Sequence, residues 1–416
     1  MTDQVPSGDA ASLLRGPAAQ LLAALDRDGE EARIVGGAIR NALLHLAVKE
    51  IDVATTAVPD EVLRRVDGAG WKAVPTGIEH GTVTVLIDGT PLEVTTLRRD
   101  VETYGRKAKV VFGRDWVADA ERRDFTINAL SLSRDGKVHD YVGGLADLAA
   151  RRVRFIGDAA QRIAEDYLRI LRFFRFHAWY GAGAPNADGL QACIRARAGI
   201  ETLSRERVRA ELLKLLLAPH ATPTLATMSE TGLLGCVLGG VALLASFENM
   251  VKAEAAIGLE ADAVRRLGAL GVAVKEDGER LAQRLRLSNA ELQQLTTLER
   301  WWRVSPAAGE KLARALLYRL GPRHFVDQVL LAWSRSPAGA ADPAWRGLAS
   351  LPQKWTAPAF PLKAADFVRR GIATGPALGA TMRAAEEAWI AADFPRDRAV
   401  VESIADQAAG KITSAG

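Results

Sequence analysis

The hydrophobic period of the sequence changes once, near Gly157. Over residues 33–133, short β-branched runs alternate with helical stretches. ARIVGG gives way to an Ala/Leu-rich stretch and then to EIDVATT, TVTVLID, PLEVTTL and FTINALSLS. Period-two alternation sends successive side chains to opposite faces of a strand, so these runs predict a mixed sheet with one or two helices packed on it. That pattern is α+β rather than doubly wound. Beyond Gly157, the segments AQRIAEDYLRILRFFRFHAWY, RERVRAELLKLLLAP and AELQQLTTLERWWRV repeat apolar residues at i, i+3 and i+4, and convincing strand runs vanish. The remainder is predicted to be all helix, with Pro- and Gly-containing joints near 218–224, 336–344 and 350–361. No fixed-period repeat is present, which disfavours a solenoid.

At 416 residues the chain exceeds twice the usual domain length, and two to four domains are expected. With 54 Lys plus Arg against 50 Asp plus Glu, a net charge of +4 and 48% apolar residues, a disordered or low-complexity protein is excluded. The small excess of base hints at a polyanionic partner only if it clusters. Cys193 and Cys236 are the two cysteines; each sits in an apolar setting and outside any metal-ligand spacing. A disulfide scaffold and a zinc module are therefore disfavoured, and a reducing, cytoplasmic setting is expected. Residues 1–10 lack the basic and apolar regions of a secretory signal. The longest nearly apolar run, 233–247, falls short of the ~20 residues that span a bilayer, so no membrane role is expected. Oligomeric state stays open.

Three constellations carry chemistry. In VGGAIRN, Gly36 and Gly37 close a strand and open a helix, where backbone N–H groups can face an anion and Arg40 projects from the first turn. An ordinary strand-to-helix turn would read the same way, but the dinucleotide and P-loop glycine patterns are both absent. In KEIDVATTA, a strand would put Glu50 and Asp52 on one face with Ile51 beneath. Two carboxylates there, with Glu93 of PLEVTTL as a weaker third, suit a pair of Mg²⁺ ions roughly 4 Å apart for phosphoryl transfer; an exposed acidic edge strand is the alternative. The ten residues from Arg40 to Glu50 leave room for a helix between turn and strand. In EDYLR, a spacing of three puts Asp166 and Arg169 on one side of a helix, and Arg172 and Arg175 continue the stripe. Read alone, this is an intrahelical salt-bridge row, and Arg122, Arg123 and Asp124 are a solvated charge run.

Taken in order, VGGAIRN, EIDVATTAVPDEV, TGIEHGTVTV, LEVTTLRRD, RRDFTINAL, GGLADL, EDYLRILRFFRF and SRERVRAELLKLL cover residues 34–216. This series strongly resembles the DNA polymerase β nucleotidyltransferase superfamily, within it the class II group of CCA-adding tRNA nucleotidyltransferases and poly(A) polymerases. The resemblance implies a polymerase-β-like head at 1–150, a helical neck at 151–220, a body at 221–340 and a tail at 341–416 that contacts tRNA. It implies addition of CCA to tRNA 3′ ends from CTP and ATP without a nucleic-acid template, assisted by Mg²⁺. Glu50, Asp52 and Arg40 would be catalytic; Glu50 and Asp52 would hold metal, with Glu93 a weaker ligand. Gly36, Gly37 and Arg40 would bind triphosphate; Arg123, Asp124 and Asn128 would face nucleotide and ribose. Asp166 and Arg169 would read the base edge in place of a template, with Arg172 and Arg175 adding contacts. The family usually carries Asp-x-Asp where this chain has Glu50-Ile51-Asp52, so the metal site is expected to be tuned.

Poly(A) synthesis is the rival activity, and an RNA-binding pseudoenzyme the rival of another class. The charged segment 98–121, with Asp100, Glu102, Thr103, Gly105 and Arg106, is of the length that in this group accompanies complete CCA addition. His139 is expected to be structural rather than half of a phosphohydrolase pair with Asp140. Phe173, Phe174 and Phe176 are expected in the core, as are Trp301, Trp302 and Trp333. Arg205, Arg207, Arg209, Lys214, Arg369 and Arg370 are candidate phosphate contacts.

Overall fold

Valine-rich alternation builds the first layer. In a computed structural model that describes residues 10–104 and 107–413, nine strands form: β1 (Ala32–Val35), β2 (Asp52–Thr55), β3 (Lys72–Gly77), β4 (Thr82–Ile87), β5 (Thr90–Thr96), β6 (Arg98–Tyr104), β7 (Lys107–Phe112), β8 (Ser131–Ser133) and β9 (Val138–His139). Seven of them make one sheet in the order β3-β4-β5-β2-β1-β8-β9. The β2–β5 pair is parallel and its neighbours are antiparallel, so the sheet is mixed. In TVTVLI, Val83, Val85 and Ile87 are buried while the intervening residues are half-buried, as a one-sided core demands. β1 is an interior strand, between β2 and β8, and all four of its residues are buried.

The parallel register sets the chemistry. Asp52 pairs with Glu93, so carboxylates from two strands stand side by side at the start of β2. Glu50 lies just before β2, outside the strand, rather than within it. The connection from Arg40 is a helix, Gly37–Leu43, followed by an irregular stretch rather than a helix running to the strand.

β6 and β7 pair antiparallel as a separate two-stranded ribbon. Gly105 and Arg106 lie outside the described residues, as do the side chains of Asp100, Glu102 and Thr103.

After the sheet, Phe125, Phe155 and Phe173 stack as one buried cluster, with ring centroids 4.9 Å apart for Phe125–Phe155 and 5.4 Å for Phe155–Phe173. The helix Leu168–Tyr180 is thereby fixed against the RRDFTINAL segment. The long periodic run is two helices, Ala159–Glu165 and Leu168–Tyr180, broken at Asp166, whose backbone is extended (φ −157°, ψ 108°). Asp166 therefore stands in the break, not on a helix face shared with Arg169. Its Oδ1 accepts from Leu168 N at 3.1 Å and so caps the second helix. Tyr167 packs flat on Gly199, where a Cβ would come within 2.1 Å of the ring; only glycine allows the approach.

By contact density the chain divides into two units, Met1–Val237 and Leu238–Gly416. The second unit is helical, and its longest helix, Glu310–Ser334, breaks at Gly321 (φ 74°) before Pro322. Its interior holds an ionic network in which Arg265 reaches Asp327 and Glu254, both at 2.7 Å, and Arg266 reaches Glu254 at 2.8 Å. A second core gathers Phe367, Trp389, Phe394 and Ala405. Trp333 is buried as expected, but Trp302 is 63% exposed because its short 3₁₀ turn, Trp301–Arg303, lies at the surface. No described helix is long and apolar enough to cross a membrane.

Candidate active site

Gly36 follows β1 and precedes the helix Gly37–Leu43 with φ 73° and ψ −127°, a conformation open to glycine alone. A Cβ there would also meet Arg123 Nη1 at 3.2 Å. The turn thus brings the strand end, the helix start and the RRDFTINAL segment together. A cavity of about 680 Å³ opens over it, lined by Gly36, Gly37, Arg40, Glu50, Asp52, Arg123, Asp124, Asn128, Asp166, Arg169 and Arg172, with Leu168, Phe176 and Arg207. A neighbouring cavity of about 580 Å³ shares Gly37, Arg40, Glu50 and Asp52 and adds Lys49, Arg175, Trp179, Tyr180 and Lys214. Every lining residue of both belongs to the first unit. Of the residues expected to be catalytic, to bind nucleotide or to hold metal, Glu93 alone lies outside both linings, beside Asp52 on β5.

The carboxylates repel one another. Burial, then Glu50, pushes the Asp52 carboxyl above its usual range; burial, then Asp52 and Glu50, does the same to Glu93. Hard oxygen donors made uncomfortable by like charge are what a divalent cation relieves. Among the described residues no three His, Cys, Asp or Glu side chains gather closely enough to hold a metal ion together. Mg²⁺ does not need such a group, because it is usually held by one or two carboxylates with water and substrate phosphate completing the shell. The Glu50 and Asp52 pair fits that demand.

Arg40 is only 6% exposed, and its hydrogen bonds all go to neutral groups. Nε and Nη2 donate to Asn41 Oδ1 at 3.2 and 3.0 Å, Nη1 donates to Asn128 Oδ1, and Nη2 donates to the Tyr180 hydroxyl at 2.8 Å. Burial lowers its pKa. A buried cation without a carboxylate partner is costly, and an anion entering the cavity would relieve it.

Asp124 is tied from three sides. Arg172 donates from Nε at 2.8 Å and Nη2 at 2.5 Å, Asn128 Nδ2 donates at 2.9 Å, and Phe125 N at 2.9 Å. Burial alone would raise this carboxyl, but Arg172 and the hydrogen bonds outweigh it and hold it below the aspartate range. Arg123 pairs with Asp119 at 3.0 Å. Asp166 pairs with Arg207 at 2.5 Å, and Arg169 pairs with Glu165 and donates to Arg162 O at 2.6 Å. Acceptor and donor fork face one cavity, each held by a separate partner. Arg175 pairs with Glu211 and stacks on Phe176, 4.3 Å from the ring centre.

Phe176 is therefore both buried and part of the wall, a role the apolar periodicity hid; Tyr180 and Trp179 were likewise missed. Arg207, one of several candidate phosphate contacts, lines the first cavity and pairs with Asp166. Arg369 and Arg370 are already engaged, with Asp366 and with Glu402 and Asp406. His139 hydrogen-bonds Ser133 Oγ at 3.0 Å, and Asp140 accepts from Val142, Gly143, Gly144 and Leu145 N as a loop cap; both are structural.

Residues 32–154 match the family described as "Poly A polymerase head domain", and residues 187–242 match "Probable RNA and SrmB- binding site of polymerase A". The mitochondrial CCA tRNA nucleotidyltransferase 1 of Mus musculus is 34% identical over 379 residues, covering 87% of this chain and 83% of its own. The CCA-adding enzyme of Limosilactobacillus fermentum is 34% identical over 375 residues, covering 87% and 89%. Among solved structures, the Bacillus stearothermophilus CCA-adding enzyme in complex with CTP superposes with a TM-score of 0.77 at 25% identity, over 96% of this chain and all of that one. The Thermotoga maritima CCA-adding enzyme complexed with tRNA shares the fold, with a TM-score of 0.69 at 18% identity over 97% and 99%. The collinear motifs, the mixed-sheet head and these likenesses agree, and the chain belongs to the family of CCA-adding tRNA nucleotidyltransferases.

Proposed function

We propose that the residues lining the two cavities carry out template-independent addition of CCA to the 3′ end of tRNA from CTP and ATP. The observation that carries the reading is a buried guanidinium hydrogen-bonded only to neutral groups, Arg40, beside the carboxylate pair Glu50 and Asp52 in one cavity wall. A nucleoside triphosphate supplies what each lacks. Its phosphates meet Arg40 and the N–H groups at the start of the helix Gly37–Leu43, with Arg175 in the adjoining cavity.

The enzymes of this family use a divalent metal, and we assign Mg²⁺ to Glu50 and Asp52, with Glu93 a weaker ligand. Bound there, such cations neutralise phosphate charge and lower the pKa of the attacking RNA 3′-hydroxyl. The protein does the rest. Arg40 stabilises negative charge on the departing pyrophosphate in a site where burial strengthens it. Asp124, fixed by Arg172 and Asn128, faces the ribose with Arg123. Asp166 and Arg169 offer an acceptor and a donor fork to the base edge, so the protein replaces a template strand.

Functionally the head (1–150) holds the carboxylates and phosphate turn, the neck (151–220) reads the base, and the body (221–340) and tail (341–416) serve tRNA. A cytoplasmic setting goes with this reading. Asp52→Ala tests it: addition should fall at least about a thousandfold while tRNA binding persists. Unchanged addition overturns the metal assignment.

A further inference from the structure

Arg40 is held from both sides of the site. Asn41 and Asn128 come from the head, while Tyr180 is the last residue of the helix Leu168–Tyr180, whose first turns bear Arg169 and Arg172. The Tyr180 ring lies against the guanidinium, 4.0 Å from its carbon to the ring centroid, and its hydroxyl accepts from Nη2 at 2.8 Å. A guanidinium has five N–H groups. Nε donates to Asn41, Nη2 to Asn41 and Tyr180, and Nη1 to Asn128, which accounts for four of them among the described residues. One Nη1 donor is left, in a side chain that lines both cavities.

We infer that Tyr180 is a positioning residue for the triphosphate: by engaging Nη2 and lying against the guanidinium, it leaves a single Nη1 N–H directed to a phosphate oxygen. This rests on the reading of Arg40 as a phosphate ligand. Without the hydroxyl, one Nη2 donor is unsatisfied and the group is free to tilt toward any acceptor, so the phosphate contact loses its fixed direction. CTP and ATP share the triphosphate, so both feel the loss alike. That separates Tyr180 from Asp166 and Arg169, which face the base.

The test uses the full chain with Mg²⁺ and tripolyphosphate, a probe with no base or sugar. Calorimetry gives its affinity for wild type, Y180F, R40Q and the double variant, and steady-state kinetics with tRNA lacking CCA give KM and kcat for CTP and ATP. Y180F retains the ring and its packing near Phe176, 5.7 Å away, so it removes the hydroxyl alone. The expected result is about fivefold weaker tripolyphosphate binding, an equal rise in KM for both nucleotides and kcat within about twofold. In the R40Q background, Y180F should add nothing, because its effect passes through Arg40. Wild-type tripolyphosphate affinity in Y180F, a loss of the same size in the R40Q background, or unequal shifts for CTP and ATP would each overturn the positioning role. If R40Q itself binds tripolyphosphate as wild type does, the phosphate reading of Arg40 fails with it; if only Y180F is unaffected, that reading stands and Tyr180 is merely packed there.

Discussion

Glu50 and Asp166 both stand just outside regular structure, and that is where their usefulness comes from. Glu50 precedes the β2 ladder, so its backbone is not held by strand pairing, and the extra methylene relative to the usual aspartate can be taken up by adjustment. Asp166 sits in an extended break between two helices, with one oxygen capping the second helix and the other on Arg207. Arg169 is separately anchored by Glu165. On the proposed reading, acceptor and donor are thus pre-aimed at a base by groups that are not themselves substrate. Changing Asp166 or Arg169 to Ala should relax base choice by at least about tenfold in relative kcat/KM, at roughly 1–3 kcal/mol per lost polar contact, with less effect on triphosphate binding. Misincorporation of UTP and GTP into tRNA ending at the discriminator base measures it; equal loss with all four nucleotides and no misincorporation contradicts a templating role.

At the scale of elements, the sheet was legible because TVTVLI and its neighbours alternate with period two and one face is buried. The order of strands was not, since parallel pairing of β2 with β5 depends on where the chain returns and leaves no local mark. The helix break at Asp166 was hidden for a similar reason. EDYLR is compatible with a helix, and the break is fixed by packing of Tyr167 on Gly199, more than thirty residues away in sequence. Apolar spacing placed Phe176 in the core, where it is, but gave no sign that its ring also faces three arginines. Most of the named residues in the cavity wall come from collinear motifs, not from periodicity; the motifs say nothing of Tyr180, whose proposed role rests on a contact with Arg40, 140 positions away. In β9, burial first, then Arg33 and Lys137, pushes the His139 imidazole down to about 4. A histidine whose folded pKa is depressed contributes stability that is present above its ordinary 6.5 and lost as pH falls toward about 4. NMR titration of His139 should show a midpoint near 4 with the fold intact; a midpoint near 6.5 contradicts the half-buried, neutral role.

At the scale of the whole molecule, the proposed chemistry is confined to the first unit, and the second unit keeps its fold by its own interior. The network of Arg265, Glu254 and Asp327 is the feature of that interior most exposed to single substitutions, because all three side chains are at most 6% accessible. Asp327→Ala removes one of the two carboxylates on the buried Arg265 guanidinium, leaving Glu254, and should cost about 1.5–3 kcal/mol in denaturant unfolding of the full chain; a loss below about 1 kcal/mol would show that the network is solvated. Function rests on a different balance. Net charge is only +4, so recognition of tRNA depends on placement of basic groups rather than on bulk attraction. The most direct test is a single-nucleotide-resolution gel of tRNA lacking CCA, incubated with the full chain, Mg²⁺ and CTP plus ATP, with each nucleotide alone as control. Extension that halts after three nucleotides and requires both CTP and ATP is the predicted result; a long ladder with ATP alone, or no extension at all, would contradict it.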